Sequence, residues 1–178
     1  MIAGVDEVGR GCLAGPVIAA SVILKKPIKG LIDSKRLSLK KREDLSQIII
    51  KNSIFAIGAA DSQEIDQINI LQASLLAMQR SLEKLDMQPK KVLVDGNHIF
   101  ETSTEIEAIV GGDNLIPSIS AASIVAKVFR DRLMMAYSKE FPNYGFDKHK
   151  GYPTKLHKEM LKKYGLTRIH RRTFKGVN

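Results

Sequence analysis

Four acids stand where apolar runs give out: Asp6 and Glu7 after Ile2 to Val5, Asp95 after Val92 to Val94, and Asp113 after the Gly111-Gly112 pair that follows Ile106 to Val110. Each apolar run reads as a short buried strand, so three strand ends present the four carboxylates. If those strands are sheet neighbours with their ends on one edge, the carboxylates converge in a cleft. Unneutralised like charges there repel by several kcal/mol at low effective dielectric. A hard divalent cation relieves that repulsion, and oxygen-only ligation with open water positions suits Mg²⁺ or Mn²⁺ rather than zinc. A pair of such ions about 4 Å apart can clamp a phosphodiester, sharpen a water as nucleophile and stabilise the leaving 3′ oxygen, which is nuclease chemistry. Any one Asp taken singly is more readily a turn or helix cap, so the inference rests on the set. Successive strand residues point to opposite faces, so Asp6 and Glu7 share a site only if the chain curls at its end, which the glycines that follow permit.

Other segments add contacts for a polyanion. Gly9-Arg10-Gly11 is a close-approach loop whose backbone N–H groups can meet a phosphate or sugar, with a plain tight turn as the equal alternative. In Asp33-Ser34-Lys35 the first two residues suit helix-start chemistry, whereas Lys35 is placed to neutralise phosphate. In His149-Lys150-Gly151-Tyr152-Pro153-Thr154 an aromatic ring is fixed among cations, a setting for stacking on a sugar or base. The histidines read as phosphate contacts or structural donors rather than as general acids.

The elements that must position these residues follow from periodicity. Val17 to Leu24 and Ile54 to Ala60 read as further strands, and Ser38 caps a helix through about Ile50 with apolar positions at Leu45, Ile48 and Ile49. Leu71, Leu75, Met78, Leu82 and Leu85 make one core-facing stripe on a helix over 69–85. Ser118 or Ser120 opens a helix through about Glu140, and a last short helix covers Lys155 to Tyr164. Strands clustered early and then alternating with helices predict a mixed sheet covered by helices, an α/β or α+β layering.

Composition bounds the rest. A chain of 178 residues with 44% hydrophobic content is read as a single domain over 1–178 with a core of its own. Cys12 is the lone cysteine, so there is neither an intrachain disulfide nor a cysteine zinc cluster, and a reducing, cytoplasmic setting is expected. The longest apolar run, Gly11 to Leu24, falls short of the roughly 18 residues that span a bilayer, and no membrane role is expected. The net charge is +9, yet residues 1–147 are balanced at 18 basic and 18 acidic side chains, while 148–178 hold ten basic and one acidic. The excess therefore lies in a basic C-terminal segment from about 142, whose apolar residues Leu156, Met160, Leu161, Ile169 and Phe174 look like docking positions. An ordered basic face points to nucleic acid as the partner.

At these residues the chain resembles the ribonuclease HII family, the bacterial type 2 ribonucleases H. The matching segments run in the family's order: AGVDEVGRG (Ala3 to Gly11), DSKRLS (Asp33 to Ser38), NILQASLLAMQR (Asn69 to Arg80), VDGN (Val94 to Asn97), SAASIVAKVFRDR (Ser120 to Arg132) and YGFDKHKGYPT (Tyr144 to Thr154). The resemblance implies an RNase H-like mixed sheet flanked by helices, with a C-terminal helical extension. It implies cleavage of RNA in RNA/DNA hybrids, leaving 3′-hydroxyl and 5′-phosphate ends, and nicking 5′ to single ribonucleotides in duplex DNA, as in ribonucleotide excision repair and RNA primer removal. It places Asp6, Glu7, Asp95 and Asp113 at a Mg²⁺ or Mn²⁺ site, Gly9, Arg10 and Gly11 on the ribose 2′-hydroxyl, Tyr152 at the RNA-to-DNA junction and Lys35 on phosphate. Asp131 and Arg132 also match, in structural roles. Cys12, Leu166 and Thr173 depart from the family's usual proline, Gly-Pro-Thr and serine. The positions of Asp6 and of the final HRRTF segment lead us to expect a monomer without the N-terminal domain of ribonuclease HIII or a long tail for a clamp-type partner. Two other readings compete: a hybrid-binding module without catalysis, and another metal nuclease of the same fold that cuts DNA lacking any 2′-hydroxyl.

Overall fold

The computed structural model describes residues 1–31 and 37–177, so Lys35 and its neighbours Asp33 and Ser34 lie outside the described residues. Among the described residues five strands form one sheet: β1 (Ile2–Val8), β2 (Val17–Leu24), β3 (Ser53–Ala60), β4 (Lys91–Asp95) and β5 (Glu105–Ile109). Their order is β3-β2-β1-β4-β5, antiparallel from β3 to β1 and parallel from β1 through β4 to β5. The helices among the described residues are α1 (Leu39–Lys51), α2 (Ser62–Glu83), α3 (Pro117–Glu140), α4 (Phe146–His149) and α5 (Lys155–Tyr164), with a 3₁₀ turn at Gly112–Asn114. This is the expected mixed α/β sheet flanked by helices.

β2 is buried on both faces, and its residues alternate between two cores. Val17 and Ala19 join Val5, Val92 and Val94 beneath α2, whereas Ile18, Ala20 and Val22 meet α1 and α3. A third cluster of Leu13, Ala14, Met134, Tyr144, Phe146, Leu161 and Ile169 seats the C-terminal segment on the loop between β1 and β2. None of the helices among the described residues is long and apolar enough to cross a membrane.

Several local expectations are revised. Helix α1 is capped by Ser38 as its sequence predicts, but Ile48 is 48% exposed while Leu45 and Ile49 are buried. Helix α2 starts earlier than its leucines indicate, at a capping box in which Asp61 accepts from Gln63 and Glu64 N–H, and it kinks at Asn69. Of the leucine-methionine stripe only Met78 is fully buried; the face against the sheet is Ala73, Ser74, Ala77 and Ser81. The reason is close approach, because a Cβ on Gly58 of β3 would lie 1.9 Å from the Ala77 carbonyl oxygen. Only small residues on the helix let that contact form. Neither Ser118 nor Ser120 caps α3: Pro117 occupies its first turn, both serines are buried within it, and Ser120 Oγ donates to the Leu31 carbonyl at 2.6 Å.

Candidate active site

β1 is the central strand and runs through both of its acids rather than ending before them. The parallel register Val5↔Val94 sets Asp6 level with Asp95, the last residue of β4, so the two carboxylates rise from adjacent strands at one sheet edge. Asp6 faces α3, where the Ser123 hydroxyl bonds it. Pleating sends Glu7 to the other face. No curl after the strand joins them; the Asp6 carboxylate instead folds along the backbone, and Oδ1 accepts the Glu7 N–H at 2.7 Å. Asp113 enters from the 3₁₀ turn beyond β5, where its N–H donates to Asp95 Oδ1 at 3.3 Å and its own Oδ1 accepts from Asn114 Nδ2 at 2.7 Å.

Electrostatics mark this edge. Burial, then the charges of Glu7 and Asp95, hold the Asp6 carboxyl well above the usual carboxylate range, although the Ser123 hydroxyl opposes the shift. Burial likewise raises Glu7, against the pull of Arg10, whose Nη1 lies 3.3 Å from Glu7 Oε1. Among the described residues no three acidic, imidazole or thiol side chains stand close enough to form a ready metal cage. The donor set nonetheless fits a hard cation: carboxylate oxygens alone, crowded enough to oppose one another's ionisation.

Beside the acids, the Gly9-Arg10-Gly11 loop is held from beneath by two buried arginines. Gly9 has φ +93°, and a Cβ there would lie 2.2 Å from Arg130 Nε. Arg171 donates to the carbonyls of Gly9 (2.6 Å), Arg10 (2.8 Å) and Gly15 (2.9 and 3.0 Å). Arg130 donates to Pro16, Ala14 and Lys150 carbonyls at 2.9 to 3.0 Å. Both side chains are fully buried, and among the described residues neither pairs with a carboxylate. Burial draws Arg171 down to about 10. The chain near Arg171 also runs antiparallel to the loop, with Ala14 bridged to His170.

Tyr152 reaches the same loop. Its side chain is in hydrogen-bonding contact with Cys12, next to Gly11, and its ring lies 5.8 Å from Lys127 Nζ and 6.0 Å from Arg130 Cζ while remaining 37% exposed. The candidates Asp6, Glu7, Asp95 and Asp113 thus share one edge, flanked by Gly9, Arg10, Gly11 and Tyr152.

The histidines of the basic segment are not phosphate contacts: His149, His157 and His170 are buried and bonded to backbone or to one another. The basic face is correspondingly smaller, since Arg171 is internal and Arg168 pairs with Glu140 at 2.7 Å. Lys155, Lys158, Lys162, Lys163, Arg172 and Lys175 remain exposed. Thr173 keeps the hydroxyl of the serine it replaces and donates to Asp66 Oδ1 at 2.7 Å. Sequence reasoning passed over Arg130 and Arg171 in favour of Asp131 and Arg132. The signal for Arg130 was an arginine in the four-residue row Ala122, Ala126, Arg130, Met134, every other member of which is apolar and all of which are buried.

The chain matches the family model described as Ribonuclease HII over residues 3–177. It belongs to the ribonuclease HII family. It is 55% identical to the ribonuclease HII of Coxiella burnetii over 180 residues, covering 99% of this chain and 89% of that one. It is 53% identical to the ribonuclease HII of Pelagibacter ubique over 181 residues, covering 100% and 97%. Among solved structures, the ribonuclease H2 of Pyrococcus horikoshii OT3 superposes with a TM-score of 0.82 at 29% identity, covering 99% of this chain and 94% of that one. The fold is accordingly RNase H-like, and this ribonuclease HII is a hydrolase of the ribonuclease H class, an endonuclease acting on RNA/DNA hybrids.

The histidine cluster also predicts how stability varies with pH. Burial pushes His157 and His170 down to about 4 from the ordinary 6.5, so between those values the unfolded chain binds protons that the folded chain refuses. Stability is then full above pH about 6.5 and falls as pH drops toward 4, on the order of 3 kcal/mol for the coupled pair. The raised carboxyls of Asp6 and Glu7 act in the opposite sense. Urea unfolding of the double variant Asp6→Asn, Glu7→Gln at pH 7 and pH 5 removes that opposing contribution, and equal midpoints would refute the histidine contribution.

Proposed function

We propose that this ribonuclease HII nicks duplex DNA on the 5′ side of a single embedded ribonucleotide, as well as cleaving RNA in hybrids, leaving 3′-hydroxyl and 5′-phosphate ends. In this reading Asp6, Glu7, Asp95 and Asp113 hold two Mg²⁺ or Mn²⁺ ions. Such ions, when bound, polarise the scissile phosphodiester, activate the attacking water and stabilise the leaving oxygen.

The chain's own residues supply the rest. Arg171 and Arg130 fix the carbonyls of the 9–16 loop inward, which leaves its outer edge to meet the minor groove. The 2′-hydroxyl is the group that separates RNA from DNA at one position, and a loop with glycines on either side of Arg10 permits backbone approach to it. Arg10, held toward the acids by Glu7, adds a cation beside the cleavage position. Tyr152 offers an exposed ring for the deoxyribose past the ribonucleotide. Lys35 remains a proposed phosphate contact on family resemblance alone. The observation that carries the reading is the seating of Tyr152 against Cys12, next to Gly11, at the edge that gathers the four acids.

The test is cleavage of an end-labelled duplex carrying one ribonucleotide, with Mg²⁺, Mn²⁺ or EDTA, beside an all-DNA duplex and a continuous hybrid. A metal-dependent nick 5′ to the ribonucleotide with the all-DNA control intact supports the reading. Cutting of the all-DNA duplex overturns it. In the same assay Tyr152→Ala is expected to lower kcat/KM at the single ribonucleotide about tenfold more than on the hybrid, the scale of one lost stacking contact. Equal losses on both substrates would remove Tyr152 from the junction.

A further inference from the structure

The segment carrying Tyr152 is tied down by three buried imidazoles whose protonation is fixed by their partners. Gly151 N–H points at His149 Nδ1 (3.1 Å), so Nδ1 accepts and the ring proton lies on Nε2, donating to the Tyr144 carbonyl at 2.8 Å. His157 Nδ1 lies 2.9 Å from the Tyr152 carbonyl, which can only accept, so His157 carries its proton on Nδ1 and offers Nε2 as an acceptor. His170 Nε2 stands 3.1 Å from that acceptor and must donate to it. The assignment closes independently from the far end, because Thr167 N–H donates to His170 Nδ1 at 2.9 Å. His149 and His157 stack with ring centroids 4.4 Å apart, and Phe146 lies edge-on to both.

One neutral tautomer of each ring therefore satisfies every partner. The chain of bonds also has a direction in space. It begins at the Tyr152 carbonyl and ends at His170, the residue bridged to Ala14 and adjacent to Arg171, in the segment that clamps the Gly9-Arg10-Gly11 loop. Two elements far apart in sequence thus share this internal strut, beside the Arg130 guanidinium that joins Ala14 to Lys150 and the Leu13 N–H that donates to the Gly151 carbonyl at 2.8 Å. The Tyr152 carbonyl also accepts Thr154 N–H at 2.8 Å, but that bond is local to the turn and carries no reference to the glycine loop.

We propose that His157, locked by His170, is a positioning residue for Tyr152: its Nδ1–H fixes the Tyr152 backbone relative to the Gly9-Arg10-Gly11 loop, and so sets selectivity for the ribonucleotide junction over continuous hybrid. The inference rests on the junction role given to Tyr152 above.

The test compares His157→Asn, whose amide N–H falls where Nδ1–H stood, with His157→Gln, whose amide matches Nε2, on single-ribonucleotide duplex and on continuous hybrid. His157→Gln is expected to lower kcat/KM at the single ribonucleotide about tenfold more than on hybrid, the effect of one lost buried hydrogen bond. His157→Asn is expected to restore the ratio to within about threefold of the parent, and His157→Gln to add nothing to the ratio in Tyr152→Ala. Equal losses on both substrates from Gln and Asn alike, while Tyr152→Ala still shifts the ratio, overturn the positioning role and leave the Tyr152 reading standing. No shift in Tyr152→Ala overturns that reading itself. Should the glutamine variant not fold, long-range ¹H–¹⁵N spectra of the histidine-labelled parent at neutral pH decide the matter. Nδ1–H on His157 with Nε2–H on His149 and His170 is expected, and Nε2–H on His157 refutes the strut.

Discussion

Cleavage of hybrid is expected to fall by about a thousandfold or more in Asp6→Asn or Asp95→Asn, while hybrid affinity stays within a few-fold of the parent. Asp95 ends β4 and Asp6 lies level with it on the adjacent parallel strand β1, where burial and the charges of Glu7 and Asp95 oppose its own charge. The Glu7 N–H and the Ser123 hydroxyl offset part of that opposition, and a bound cation, as proposed above, would offset the rest. The same change therefore has a second signature. Removing the acid relieves like-charge crowding, so unfolding without added metal should shift to higher denaturant by the equivalent of about 1 kcal/mol as activity disappears. Mn²⁺ should stabilise the parent against heat and leave the variant unmoved. Retained turnover by either variant would remove these acids from the metal site, and loss of affinity in place of turnover would favour a binding module.

Arg171→Met is expected to destabilise the protein by about 3 to 5 kcal/mol, among the largest effects of any single change outside the hydrophobic core. Methionine fills similar space, so the loss reports the carbonyls of Gly9, Arg10 and Gly15 deprived of their buried donor. Arg171→Lys should recover little of it, since one ammonium cannot span three carbonyls as a planar fork does. Urea unfolding of both variants measures the difference. A shift below about 1 kcal/mol in either would show that the loop holds its shape without the clamp.

What could be read from the sequence was what is local. Alternating or continuous apolar runs ending in acids announced β1, β4 and β5 and, with them, the edge that gathers the four acids. Ser38 and the β-branched run of β2 were equally plain. Where a second element decides the outcome, the reading missed. The leucines of α2 looked like its core face, yet the absence of a side chain on Gly58 draws the helix in along its alanines and serines. Three histidines in a lysine-rich segment read equally as phosphate contacts or structural donors, and only the enclosure by Phe146 and the Leu13–Gly15 segment decides for the second. Arg171 gave no local sign at all, because its carbonyl partners lie more than 150 positions earlier in the chain.

That separation orders events as the protein is made. The strands that carry Asp6, Glu7 and Asp95 lie within the first hundred residues, but the loop beside them, which Arg130 also holds, acquires the last of its donors only when the segment around Arg171 has left the ribosome. A nascent chain would carry the acids without the Arg171 contacts to the loop beside them. The shape of the Gly9-Arg10-Gly11 loop is thus the last part of this edge that the chain completes.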